Sequence, residues 1–171
     1  MKKEFTAKSR GIYNTTMLSF AMGSGTENGL ALGAGLSNVT GFQTKTIGIG
    51  IGIGVDNYAR RGETVYPIFA ELRGFIPSKN KQGNYYLSAA GGYGLAFKRE
   101  KIDITNAEGG YMIHPAFGYR VATADGMDVN VDLGIKFQKA KFSRDLFNGD
   151  IETRDILYRR IVVRIGLTLW K

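Results

Sequence analysis

Residues 46–55 read Thr-Ile-Gly-Ile-Gly-Ile-Gly-Ile-Gly-Val. Ile47, Ile49, Ile51, Ile53 and Val55 share one face of an extended chain, and Gly48, Gly50, Gly52 and Gly54 share the other. A period of two means a strand, since successive side chains point to opposite faces. The period recurs. Met127, Val129, Val131, Leu133, Ile135 and Phe137 oppose Asp128, Asn130, Asp132, Gly134, Lys136 and Gln138. Ile161, Val163, Ile165, Leu167 and Leu169 oppose Arg160, Val162, Arg164, Gly166 and Thr168.

The same pattern predicts strands near residues 11–23, 30–42, 65–76, 85–97 and 111–121. With 46–55, 127–137 and 160–169 they make eight, each about ten to thirteen residues long. Turn-rich segments at 24–29, 59–64, 78–84, 122–126 and 143–153 separate them, and 98–110 is read as a long loop. No stretch of twelve or more residues has a helical period. The fold class follows: all-β, an eight-stranded antiparallel up-and-down transmembrane barrel with a polar, side-chain-filled interior. Residues 1–10 form a polar N-terminal segment on the periplasmic side, and 11–171 form one barrel domain. Alternate connections look long and short, as in outer-membrane barrels.

The faces decide the environment. In residues 88–96 the non-apolar face is Ser88, Ala90, Gly92, Gly94 and Ala96. A strand showing bare glycine to water gains no side-chain packing. Small residues fit a narrow lumen shared with large side chains, and eight strands enclose a lumen that side chains can fill. The large ones sharing that face are Glu71, Arg73, Met112, His114, Arg120, Asp128, Asp132, Lys136, Arg160 and Arg164. The apolar face then meets lipid, and mid-strand positions on it carry no charge. Aromatics near strand ends, from Tyr13, Phe42, Tyr58, Tyr66 and Tyr85 to Phe97, Tyr111, Tyr119, Phe137, Phe142 and Trp170, are expected to form two interfacial girdles. Pro115 cannot donate to a ladder, so a bulge or local break is expected there.

Buried charges need partners. Glu71, Asp128 and Asp132 face Arg73, Arg120, Lys136, Arg160 and Arg164 across the interior. A hairpin loop centred near Asn148 sets Asp132 opposite Arg164, and a network of Asp132, Arg164, Glu71 and a second Arg is expected. Such a network plugs the lumen, which argues against an ion path.

Composition excludes several chemistries. The 171-residue chain has no Cys, so disulfide, Cys-zinc and thiol redox sites are absent, and one His excludes two-histidine catalysis. His114 has Pro115 and Ala116 beside it and no Gly-x-Ser-x-Gly element accompanies it, so no catalytic residue is assigned and the chain is read as a non-enzyme. No metal or cofactor is expected. A net charge of +8 invites a nucleic-acid reading, but the cations scatter through loops and strand ends. Arg60, Arg61, Lys98, Arg99, Lys101, Lys139, Lys141 and Arg144 would instead sit at an outer rim, where lipopolysaccharide phosphates lie. The start, Met1-Lys2-Lys3-Glu4-Phe5, is followed by no apolar h-region, so the chain reads as a mature form without its signal peptide.

Gly11-Ile12-Tyr13-Asn14, Tyr66-Pro67-Ile68-Phe69-Ala70-Glu71-Leu72-Arg73-Gly74 and Gly91-Gly92-Tyr93-Gly94, on this strand plan, resemble the small OmpA/OmpX-like outer-membrane barrels over about residues 11–170. Trp170 followed by Lys171 departs from that family's terminal aromatic. The resemblance implies a porin-like architecture in the bacterial cell envelope. It also implies a structural or loop-mediated binding role, with outer-membrane protein partners or membership of a larger assembly. Two alternatives come from other classes: a soluble β-barrel holding a hydrophobic ligand, and an outer-membrane lipid-modifying enzyme. Cavity charges argue against the first, and the surroundings of His114 against the second.

Overall fold

The isoleucine–glycine run becomes β3 (Ile47–Asn57), and it alternates as its sequence does, with the glycines inside and the isoleucines outside. The computed structural model describes residues 10–24, 30–58, 63–76, 82–98, 104–145 and 151–171. Around β3 lie β1 (Gly11–Ser24), β2 (Leu30–Gln43), β4 (Thr64–Phe75), β5 (Gly83–Ala96), β6 (Ile104–Glu108), β7 (Gly110–Ala124), β8 (Met127–Asp145) and β9 (Ile151–Trp170). Every pairing is antiparallel. Sequence neighbours pair from β1 to β5. β5 then pairs with β7, β7 with β8 and β8 with β9, and β9 returns to β1 from Tyr13↔Trp170 to Met22↔Ile161. Eight strands thus close a ring that has no free edge, so each strand's backbone finds partners on both sides.

Two segments expected from the sequence to be loops contain strand among their described residues. The 98–110 segment contains β6, which continues the line of β7 past Gly109 and pairs with the upper part of β8 through Ala107↔Phe142 and Glu108↔Lys141. The 143–153 turn is mostly hairpin, because β8 and β9 stay paired out to Asp145↔Ile151. In both places the sequence reads polar, since a ladder beyond the apolar wall has no need of apolar outer residues. At the opposite end Asp125 and Gly126 make the turn from β7 to β8, with Gly126 at φ +71°. That left-handed geometry suits glycine. Pro115 leaves the β7–β8 ladder interrupted between Ile113↔Phe137 and Ala116↔Gly134, with no change of register, so the result is a local break and not a bulge.

The outer wall is apolar and exposed. Ile49, Ile51 and Leu133 are 62%, 70% and 56% exposed. A continuous band of this kind is far larger than the apolar patches that soluble monomers tolerate. It is the wall of a transmembrane barrel. Tyr66 and Phe97 on one side of the band, and Tyr85 with Phe117 and Tyr119 on the other, pack as ring pairs on this wall. Four aromatics expected in the girdles do otherwise. Tyr13, Tyr58 and Phe142 are buried inside, and Trp170 is half-buried with its indole N–H donating to Asp128. Each shares the parity of the inner face, which outweighs its place near a strand end.

Glycines on the inner face make room for inward rings. A Cβ at Gly52 would lie 2.5 Å from Cε2 of Phe69, and one at Gly92 would lie 2.6 Å from the Phe69 Cα. Gly91, on the outer face, has nothing within 4 Å of such a Cβ. Gly52→Val is therefore expected to lower unfolding stability by about 1–3 kcal/mol through overpacking. Gly91→Val should cause no loss. Denaturant titration of the refolded barrel in lipid measures both.

Candidate functional site

The candidate site is the lumen, a column of buried polar groups from the turn end of the barrel to its loop end. At its centre Glu71 and Arg73, two residues apart on β4, point inward together because their spacing preserves the face. Arg73 Nε donates to Glu71 Oε1 at 2.5 Å. β8 and β9 meet with Asp132 paired opposite Arg164. Arg164 reaches Asp132 by two hydrogen bonds, Nε to Oδ1 at 2.8 Å and Nη2 to Oδ2 at 3.0 Å, and touches Glu71 Oε2 at 3.3 Å. The Tyr86 hydroxyl donates to Asp132 at 2.8 Å. Two carboxylates and two guanidiniums thus form one charge-balanced cluster, drawing on β4, β8 and β9. The Arg73 guanidinium also lies over the rings of Tyr13 and Tyr86, 5.6 Å from each centroid. Cation–π contact adds to the ion pairs there.

Toward the turn end, Arg120 lies 3.6 Å from Asp128 and donates to Gln43 at 3.0 Å. Its guanidinium stacks 4.2 Å from the centroid of Phe75. Toward the loop end, Lys136 on β8 pairs with Asp56 on β3 across the lumen. Beyond them Glu63 accepts from Arg154 and from the Tyr158 hydroxyl, each at 2.5 Å. Tyr158 stacks on Tyr58 with centroids 4.0 Å apart. Val65, Ile104, Ala140 and Phe142 complete an apolar cap around these rings.

Of the eight interior charges named from the sequence, the centre gathers Glu71, Arg73, Asp132 and Arg164. Arg120 and Asp128 sit apart from them as a second pair. Lys136 belongs with Asp56. Arg160 joins none of these pairs in the way the charge count suggests, and it donates to the backbone carbonyl of Ala31 at 3.1 Å. Sequence reasoning missed Asp56, Glu63 and Arg154, and it missed the aromatic partners Tyr86 and Phe75. Parity finds several of them: Asp56 continues the Gly48–Gly54 face, Phe75 continues that of Glu71 and Arg73, and Tyr86 that of Ser88.

His114 is buried on the inner face and lines a cavity of about 20 Å³ with Ser19, Ser37 and Asp56. That volume suits one water. None of the described hydrogen bonds joins His114 to those serines, and its Nε2 has no partner among the described residues.

The rim cations divide. Arg60, Arg61, Arg99 and Lys101 lie outside the described residues, as does the side chain of Arg144. Lys98 is exposed at the loop end. Lys139 and Lys141 stand on the outer wall of β8 just beyond Phe137, and each is already engaged: Lys139 by Asp155, Lys141 by Glu108 at 3.6 Å. Both are members of half-exposed ion pairs at the loop end of the wall.

No protein-family model and no curated protein sequence matches the chain. Solved structures do. The fold is that of a small outer-membrane barrel. Neisserial surface protein A matches with a TM-score of 0.69 at 12% identity, over 94% of this chain and 97% of that one. A de novo designed transmembrane β-barrel matches with a TM-score of 0.56 at 9% identity, over 96% and 98%. At these identities the likeness is one of architecture. The designed barrel makes the point physically: the fold follows from strand count, alternation and closure, and it carries no function by itself.

Proposed function

We propose that the chain is a non-enzymatic barrel of the bacterial outer membrane, of the small OmpA/OmpX-like kind, serving as a structural element and binding partners through its loop end. The observation that carries this reading is the filled lumen. Charged pairs from opposite walls meet at its centre, Lys136 and Asp56 cross it higher up, and the Tyr58–Tyr158 stack closes the loop end. Among the described residues these side chains occupy most of the lumen, which supports a plugged barrel over an ion path or a hydrophobic-ligand carrier. A lipid-modifying enzyme needs its nucleophile at a surface that lipid can reach, whereas His114 is buried and faces the interior. Recognition then falls to the loop end and to the collar above the apolar band. Lys98, Lys139 and Lys141 stand there, and lipopolysaccharide phosphates are the ligands they suit. Lys139 and Lys141 would exchange Asp155 and Glu108 for phosphate.

Gel mobility tests the reading. The chain refolded in detergent is expected to run faster unboiled than boiled, and to fail to fold in plain buffer. Vesicles bearing lipopolysaccharide should show no modified lipid by mass spectrometry after incubation with it. A monodisperse β-rich protein in plain buffer would overturn the proposal in favour of the soluble carrier, and modified lipid would overturn its non-enzymatic part.

A further inference from the structure

The apolar outer wall is interrupted by four polar side chains. Asn14 and Thr16 on β1 face outward beside Thr40 and Asn38 on β2, in the register Asn14↔Thr40 and Thr16↔Asn38. Ile12 and Phe42 bound this patch on the turn side, and Leu18 and Leu36 on the loop side, each 44–52% exposed. Ile51 and Ile53 of β3 flank it on one side, and Leu167 and Leu169 of β9 on the other. Apolar side chains surround it, one outward row inside the turn-side end of the apolar wall.

The patch satisfies itself only in part. The two amides bond reciprocally, Asn14 Nδ2 to Asn38 Oδ1 and Asn38 Nδ2 to Asn14 Oδ1, both at 2.9 Å. Their second N–H groups go to Thr40 Oγ1 at 2.7 Å and to Thr16 Oγ1 at 2.9 Å. All four amide protons are used. Each threonine hydroxyl acts here as an acceptor and keeps its own proton to give, and each amide oxygen keeps room for a second bond. Acyl chains offer nothing to bond with, and polar groups facing hydrocarbon are costly unless partnered.

We propose that this patch is the interface of a homodimer in the membrane, with β1–β2 of one copy against β1–β2 of a second. Three features favour a second copy as the occupant. Barrels of one sequence insert in one orientation, so every copy holds the patch at the same depth. A two-fold axis along the membrane normal brings like patches together, the isologous arrangement of most dimers. The chemistry is self-complementary: two hydroxyl donors on one copy match two amide oxygens on the other, and no charge opposes the approach. Amides and hydroxyls serve transmembrane helix pairs in the same way. The inference rests on the membrane placement of the wall, and not on the loop-end role.

The chain has no Cys, so one introduced thiol reports alone. Leu36→Cys places it beside the patch with all four polar side chains intact. Ile113→Cys places it on β7, across the barrel. In phosphatidylcholine vesicles at low protein-to-lipid ratio, oxidation is expected to give a disulfide-linked dimer from Leu36→Cys and little from Ile113→Cys. The Asn14→Leu/Asn38→Leu variant should dimerise about tenfold more weakly in a fluorescence-transfer titration, or about 1.4 kcal/mol. Heat-modifiable mobility confirms that each variant is a folded membrane barrel, so a failure here is separable from a failure of that reading. Equal cross-linking at both positions, none at Leu36→Cys, or undiminished dimerisation of the double variant would overturn the proposal.

Discussion

Glu71→Ala is expected to lower the unfolding free energy of the barrel by about 3–5 kcal/mol, the scale for breaking a buried ion pair by removing one partner. Glu71 is 1% exposed and serves two guanidiniums at once. Arg164 would retain Asp132. Arg73 would keep the faces of Tyr13 and Tyr86 and a contact of 3.9 Å with the Met17 sulfur. None of these is an anion. The variant thus leaves a buried cation uncompensated, beside a second cation that Glu71 had also served. Glu71→Gln keeps the shape and loses the charge, so most of the loss should remain. Removing both charges is different. Glu71→Leu/Arg73→Leu deletes a matched pair and leaves Arg164 with Asp132, so it should be more stable than Glu71→Ala, because apolar groups can replace a buried pair at little loss. Trp170 is the only Trp, and its fluorescence across a denaturant titration in lipid reports all three. If Glu71→Ala loses less than the double variant, the cluster is hydrated and not a structural plug.

The architecture was legible because a barrel wall has a simple code. Alternation marks each strand, and the glycine face of 46–55 indicates which side is inside. Opposing positions across the 143–153 hairpin sum to the same value as Asp132 and Arg164, so one register fixes that pair. What the sequence hid is contact across the lumen. Lys136 and Asp56 lie eighty residues apart on strands that share no ladder, and only closure of the ring brings them together. β6 was hidden for another reason. Ile104-Thr105-Asn106-Ala107-Glu108 lies beyond the apolar wall, where a strand needs only a partner ladder and not an apolar face. The polar patch on β1 and β2 was readable in principle: Asn14, Thr16, Asn38 and Thr40 fall on the face that Ile12, Leu18, Leu36 and Phe42 define as outward. An eye that searches the apolar wall for charges passes over neutral amides and hydroxyls.

Leu133→Arg should destabilise the barrel in a bilayer by about 2–4 kcal/mol, while Leu157→Arg should lose only about 0–1. Both residues face outward, on β8 and β9, and they differ in depth. Along β8 the outer face runs Met127, Val129, Val131, Leu133, Ile135 and Phe137 before Lys139 and Lys141 begin, so Leu133 lies near the middle of the apolar run. Leu157 pairs opposite Lys139 and lies beyond Arg159, where the wall already carries charge. Hydrocarbon penalises the guanidinium at the first site. At the second the side chain reaches headgroups or water, and Asp155 is near. The contrast separates a membrane wall from a soluble one. On a protein surface in water, an exposed leucine changed to arginine shifts stability by about 0.5 kcal/mol or less, and the two sites would respond alike. Unfolding titrations of the two variants in vesicles, set beside wild type, measure the difference. A depth-dependent gap of about 2 kcal/mol or more means that the apolar wall faces lipid. Equal and small effects would mean that water touches both, and the isoleucine face of β3 would then need a protein partner to cover it.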